Sequence, residues 1–264
     1  MLWLPAGTPS AKNCGRSRPV SEWMIRRLDP QPGDTVLELA AGLADTGFMA
    51  ARLVGESGGV IITDFAPEMV AAGRRRAEEI GVENVEFRVL DAERMDLETD
   101  SVDGVLCRWG YMLTTDPTAA FAETRRVLRP GGSLAFSVWA SRERNPTLSL
   151  VGKVLESHGH ISPPDPEAPG AFAMADPGRV RELVVRAGFA EPEIEEVSFR
   201  WSFADQEAYW RYLTETSASA SPILRSLPTT AQEAIWEQVH EAARPFHSGE
   251  GYDFPAVCLN VLAR

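Results

Sequence analysis

Residues 36–47 read VLELAAGLADTG, and the fold follows from them. An apolar run carrying Glu38 gives way to a small-residue turn with Gly42 and Gly47. That is the junction of a first parallel strand with a helix, where a ligand can lie directly on the backbone. A second apolar run, VIITD, ends in Asp64, and a third, VEFRVLD, ends in Asp91. Three strands therefore each deliver an acid at the carboxyl edge, which is where open α/β sheets hold their ligands. Ribose hydroxyls and an exocyclic amine are donors that carboxylates accept from, so the pattern points to a nucleoside.

Outward from this stretch the rhythm is strand then helix, the signature of βαβ units. The helical VSEWMIRRL leads through the turn PQPGD into a strand at 36–40, and a helix follows over about 45–54. Further strands are expected at 60–64, 85–90, 102–107 and 133–139, with helices from Pro67 to about Ile80 and from Pro117 to about Leu128. After Trp139 the texture changes: SRERNP is polar, and ISPPDPEAPGAF is too rich in proline for regular helix, which predicts a mobile loop. Asp176 and Pro177 read as the N-cap and first residue of a helix, before a strand through EPEIEEVSFRW. Two aromatic-rich helical stretches, about 205–218 and 229–243, then break the rhythm, and PAVCLNVLA supplies the last strand.

Bulk properties narrow the function classes. The 264 residues, 44% of them hydrophobic, suffice for one domain with an elaboration. With 26 basic against 38 acidic side chains the net charge is -12, which disfavours nucleic acid and anionic membrane surfaces. Cys14, Cys107 and Cys258 have no paired spacing, which suggests a reducing, cytoplasmic setting and no metal site. Neither an export signal nor a membrane span is expected.

Between about Asp34 and Trp139 the chain resembles the class I S-adenosylmethionine (SAM)-dependent methyltransferases, in particular the ubiquinone/menaquinone-biosynthesis group. The resemblance implies a Rossmann-like, doubly wound α/β sheet of seven strands, six parallel and one antiparallel, with a helical substrate cap. It divides the chain into a leader or lid (1–30), a SAM-binding core (31–140), a mobile loop with completion of the core (141–202), the cap (203–250) and the final strand (251–264). It implies SAM as cofactor and a small-molecule methyl acceptor, and it leaves a homodimer open.

The same resemblance assigns residues. Glu38, Ala40 and Gly42 fall in the first motif, with capping of local backbone amides as the plainer role for Glu38; Asp64, with Phe65 after it, is positioned for the ribose, its alternative being the N-cap of the helix from Pro67. Met69 would lie under the adenine, although a helix methionine is more often core. Asp91 and Ala92 match the adenine site, though a solvated loop acid is the plainer alternative. CRWGYM, at the tip of the fourth strand, contributes Arg108 as a cofactor contact, with a structural pairing to an acidic neighbour as its alternative, and Trp109, Tyr111 and Met112 as acceptor contacts; packing is the commoner fate of such aromatics. Methyl transfer chiefly needs alignment and desolvation, so no catalytic residue is evident. Among His158, His160, His240 and His247, His247 is the best-placed candidate base. Trp201, Phe203, Tyr209, Trp210 and Tyr212 line either an apolar or aromatic acceptor or the cap's own core; Trp3 and Trp23 serve as lid or as packing.

One departure stands out. The family's acid-x-Gly-x-Gly-x-Gly reads Glu38-Leu39-Ala40-Ala41-Gly42-Leu43-Ala44, so two glycines are alanines. If either position needs positive φ, its methyl is a cost. The rival readings are an NAD(P) dehydrogenase, which lacks support because G-x-G-x-x-G is absent and Asp45 would repel a phosphate, and a non-catalytic SAM-sensing domain.

Overall fold

The computed structural model describes residues 17–163, 165, 168–217 and 220–264. The expected lid role of the first residues, Trp3 included, lies outside that range. Helix α1 (Arg18–Leu28) begins with a proline in its first turn and ends at Asp29 in the left-handed region. The alternation then runs β1 (Thr35–Leu39), α2 (Asp45–Val54), β2 (Gly59–Asp64), α3 (Pro67–Ile80), β3 (Val85–Val89), β4 (Val102–Arg108), α4 (Pro117–Val127) and β5 (Leu128–Trp139). Next come α5 (Pro146–Ser157), α6 (Pro177–Arg186), β6 (Glu193–Phe203), α7 (Gln206–Arg211), α8 (Ser221–Ser226), α9 (Thr229–Ala243), β7 (His247–Ser248) and β8 (Gly251–Ala263).

The strand order is β3-β2-β1-β4-β5-β8-β6, with the two-residue β7 paired to β8 off this path. Parallel ladders join β1 to β2 and β4, β2 to β3, and β4 to β5. β8 runs antiparallel to β5, from Leu134 opposite Ala263 to Trp139 opposite Cys258. This is the sheet the resemblance implied, with the short β7 added. Strand order reverses between β1 and β4, so their carboxyl ends open the crevice in which such sheets bind ligands. β1 is buried over nearly its whole length, as a strand covered on both faces must be.

The chain divides into two compact units. The first comprises residues 17–140, 169–197 and 258–264. Its core includes Leu37, Leu39, Leu106, Phe121, Leu134 and Phe136, all essentially inaccessible. Trp23 belongs here as packing, and its indole donates to Glu195 at 2.8 Å. Asp176 caps α6 as expected, accepting from the Gly178 amide at 2.9 Å.

The second unit holds residues 141–168 and 198–257, and its centre is Val151, Leu155, Phe203, Tyr209, Leu213, Leu224, Ile235, Val239 and Phe254. Of the two readings left open for its aromatics, the structure supports the unit's own core: Tyr209 is fully buried, and Trp201, Trp210 and Tyr212 are partly buried against that cluster. The loop expectation needs correcting. α5 occupies 146–157, because Pro146 starts the helix instead of breaking it and LSLVGKVL buries one face. The boundaries shift as well: 141–168 join the helical unit, while 169–197 join the sheet unit. Among the described residues no helix is long and apolar enough to cross a membrane.

Asn145, which precedes α5, is buried and acts as a cross-link within the second unit. Its amide donates to Val257 O at 2.9 Å and Ser141 O at 3.1 Å and accepts from Val257 N at 2.9 Å. Asn145→Ala strands the Val257 peptide without partners and is expected to cost about 2–3 kcal/mol, measurable as a lower midpoint in urea unfolding.

Candidate functional site

The turn after β1 is tied to the tip of β2 by hydrogen bonds. Ala41 N donates to Thr63 O at 2.9 Å, and the Thr63 hydroxyl donates to Glu38 O at 2.8 Å. The Asp64 carboxylate accepts from Gly42 N at 2.9 Å through one oxygen and from Ala66 N at 3.0 Å through the other. One side chain thus fixes both the glycine turn and the approach to α3. Each oxygen keeps a further lone pair for a ligand donor. Burial raises the Asp64 pKa while these backbone amides pull it down.

Both alanines that replace motif glycines adopt positive φ, Ala40 at 50° and Ala44 at 61°, alongside Gly42 at 55°. A left-handed alanine costs roughly 1–2 kcal/mol, so the turn carries backbone strain. The Ala40 methyl also dictates a residue on β4's side of the turn. A Cβ at Gly110 would fall 2.6 Å from Ala40 Cβ and 2.6 Å from Cys107 Sγ.

Glu38 is 2% exposed. Its carboxylate accepts from the Gly47 amide, while Oε2 has no hydrogen-bond partner. A Cβ at Gly47 would sit 2.3 Å from that oxygen, so any side chain there would force the Glu38 carboxyl to shift. Burial pushes the Glu38 pKa up to about 8, against the downward pull of the Arg108 guanidinium.

Arg108, expected as a cofactor contact, is committed to the protein. It donates to Ser17 Oγ at 2.7 Å and Ser21 Oγ at 2.9 Å and lies 3.6 Å from Asp45. Asp45 in turn pairs with Arg76 at 2.6 Å, and Arg76 donates to Leu43 O at 2.8 Å. The starts of α1 and α2 are thereby fastened to the end of β4 and to the turn.

The remaining predicted residues separate by exposure. Phe65 is 73% exposed just past β2, whereas Met69 is buried in α3. Asp91 is exposed and caps its own loop through the Glu93 amide at 2.9 Å, with Ala92 half-buried beside it. Trp109 has φ 61°, stacks on Trp139 with ring centroids 4.3 Å apart, and donates from its indole to Cys258 Sγ at 3.2 Å. Tyr111 and Met112 are buried; the Tyr111 hydroxyl meets Thr124 Oγ1 at 2.6 Å and its ring stacks on Phe121, which makes it a core residue. His247 belongs to the second unit, where it is exposed and lies 3.0 Å from Gln206. Gly110, and the reason for Gly47, escaped the sequence reading; the only signal was a glycine three residues beyond Cys107.

The sequence profile of the ubiE/COQ5 methyltransferase family matches residues 18–154. The ubiquinone/menaquinone biosynthesis C-methyltransferase UbiE of Acidiphilium cryptum is 41% identical over 110 residues, covering 41% of this chain and 43% of that protein. An arsenite methyltransferase of Halobacterium salinarum is 39% identical over 106 residues, covering 40% of this chain and 27% of that protein. These alignments span less than half the length of either relative. In structure, the YcgJ protein of Bacillus subtilis superposes with a TM-score of 0.64 at 19% identity, over 92% of this chain and 97% of that one, a likeness of fold. The chain belongs to the ubiE/COQ5 methyltransferase family.

The turn yields two predictions. Gly42→Ala, with open space around the new methyl but φ at +55°, should cost about 1–2 kcal/mol. Gly110→Ala should cost more, and pairing it with Ala40→Gly should recover part of the loss, read as a non-additive double-mutant cycle in chemical denaturation.

Glu38 gives a pH signature. In the unfolded chain its carboxyl releases its proton near 4.5, in the folded protein only near 8. Over that window the folded state binds more protons, so this residue makes stability fall as pH rises, with a slope approaching about 1.4 kcal/mol per unit. Glu38→Gln should flatten that part of the stability-versus-pH curve; an unchanged slope would assign it elsewhere.

Proposed function

We propose that the chain transfers the methyl group of SAM to a small acceptor. The observation that carries this reading is the turn between β1 and α2, which, with the buried acid of β1 before it and its strained, amide-rich backbone, belongs to a family defined by methyl transfer. Four features fit SAM. Glu38 Oε2 is a buried acceptor lacking a donor, suited to a cationic ligand. Asp64 has lone pairs left for ribose hydroxyls, and Phe65 offers an exposed flat ring to a base. Asp91, at the neighbouring strand's end, is the acceptor for the exocyclic amine in this reading.

When bound, SAM supplies a methyl carbon already activated by its sulfonium, so the protein's part is to hold, align and exclude water. Asp64 binds and orients the ribose. Trp109, held by the Ser137 carbonyl and the stack with Trp139, is a rigid wall at the tip of β4. Its half-exposed indole supports an apolar or aromatic acceptor. A dinucleotide is a poorer fit, because Asp45 stands where a pyrophosphate would approach the start of α2.

Calorimetric titration with SAM, its demethylated product and NAD tests the reading. Binding of the first two without NAD is expected, and NAD binding alone would overturn it. Asp64→Ala should weaken SAM about 10- to 100-fold, the loss of hydrogen bonds to a charged acceptor.

A further inference from the structure

The sheet unit contains one ionisable group whose surroundings are incomplete. Glu38 sits under the first turn of α2, its carboxylate accepting one amide, from Gly47, and presenting Oε2 to no donor at all. A bare carboxylate in that position is poorly solvated by the protein, and the neutral acid is favoured there by burial. The charged groups that face it from the packed elements are Arg108 at the end of β4, Asp45 at the start of α2 and Asp64 at the tip of β2. Their effects oppose one another: Arg108 favours the carboxylate, and the two aspartates disfavour it. Arg76 engages Asp45, and the Cys107 thiol, pushed up to about 12 by burial, stays neutral. Arg108 spends its donors on Ser17, Ser21 and Asp45 and makes no hydrogen bond to Glu38 among the described contacts.

A ligand that brings positive charge to this turn changes the balance. SAM carries an ammonium and a sulfonium against one carboxylate, a net charge of about +1 that an ionised Glu38 would offset. We propose that Glu38 is protonated in the free protein and gives up its proton to solvent when SAM occupies the turn, so that cofactor binding and proton release are one coupled event. This rests on the reading of the turn as a SAM site. In the balance, one carboxyl O–H bond breaks, its electron pair stays on Glu38, and the proton passes to the buffer. No redox partner is involved. The demethylated product retains the ammonium but has lost the sulfonium, so it draws out less of the proton. The coupling thus favours the charged donor over its neutral product, and more strongly as pH rises toward 8.

The test is calorimetric titration of the whole chain with SAM at pH 7 in buffers of different ionisation enthalpy, repeated with the demethylated product. The expected result is a buffer-dependent heat approaching one proton released per SAM and a smaller release for the product. SAM affinity should rise by up to tenfold per pH unit below about 8 and level off above it. In Glu38→Gln, which preserves shape, both the release and this pH dependence should vanish. Infrared spectra of the unaltered protein provide a second readout: the carbonyl stretch of a protonated carboxyl should disappear on adding SAM. Binding with buffer-independent heat overturns the coupling and leaves the cofactor reading standing. Proton release that persists in Glu38→Gln overturns the assignment to Glu38. Absence of SAM binding overturns the cofactor reading and the coupling with it.

Discussion

The hydrogen bonds from Gly42 and Ala66 to Asp64 are the constraint on which the rest of the site depends. They decide where the chain leaves β1, how it enters α2, and how α3 starts, all with one carboxylate. Because the turn is pinned, it can hold two alanines in a backbone region that glycine fills without penalty. The strain is absorbed locally: the Ala40 methyl is accommodated because the chain has no side chain at Gly110, and Glu38 because it has none at Gly47. Small residues that seem interchangeable in the turn are matched to particular neighbours across it.

Arg108 shows how tertiary context redirects a strand-tip residue. Its position at the end of β4 suggests a ligand contact, yet its guanidinium knits α1 and α2 to the sheet. The partners, Ser17 and Ser21, lie about ninety positions earlier, and no local pattern announces them. The ion pair between Asp45 and Arg76 works in the same way, linking the start of α2 to the middle of α3.

The sheet was legible because its strands are apolar runs with acids at their ends and prolines or glycines at the turns, signals that act within a few residues. Helices α2 and α3 begin and end where Asp45, Pro67 and Gly81 indicated. α5 was not legible: the polar SRERNP before it and the proline-rich ISPPDPEAPGAF after it set the texture of the segment, whereas Pro146 is a first helical residue and the apolar face lies between the two. The aromatic helices were legible as a departure from the alternation. Whether their rings faced a ligand or one another depended on contacts between segments about fifty residues apart, such as Tyr209 with Phe254. Tyr111 shares this ambiguity, since a strand-tip tyrosine turns inward only because Thr124 is there to receive its hydroxyl.

Trp109, just past the end of β4, and Cys258, inside β8, are distant in sequence and joined by the indole-to-sulfur contact. Burial pushes the Cys258 thiol up to about 12, as it does that of Cys107. Neither sulfur is therefore a nucleophile while the sheet is intact. Alkylating reagents and mild oxidants act on thiolates, so at these two positions they are spectators of the native protein and reactants only of its opened form. The sulfur beneath the Trp109 indole is thus a built-in clock, and its rate of modification measures how often the tip of β4 and the middle of β8 come apart.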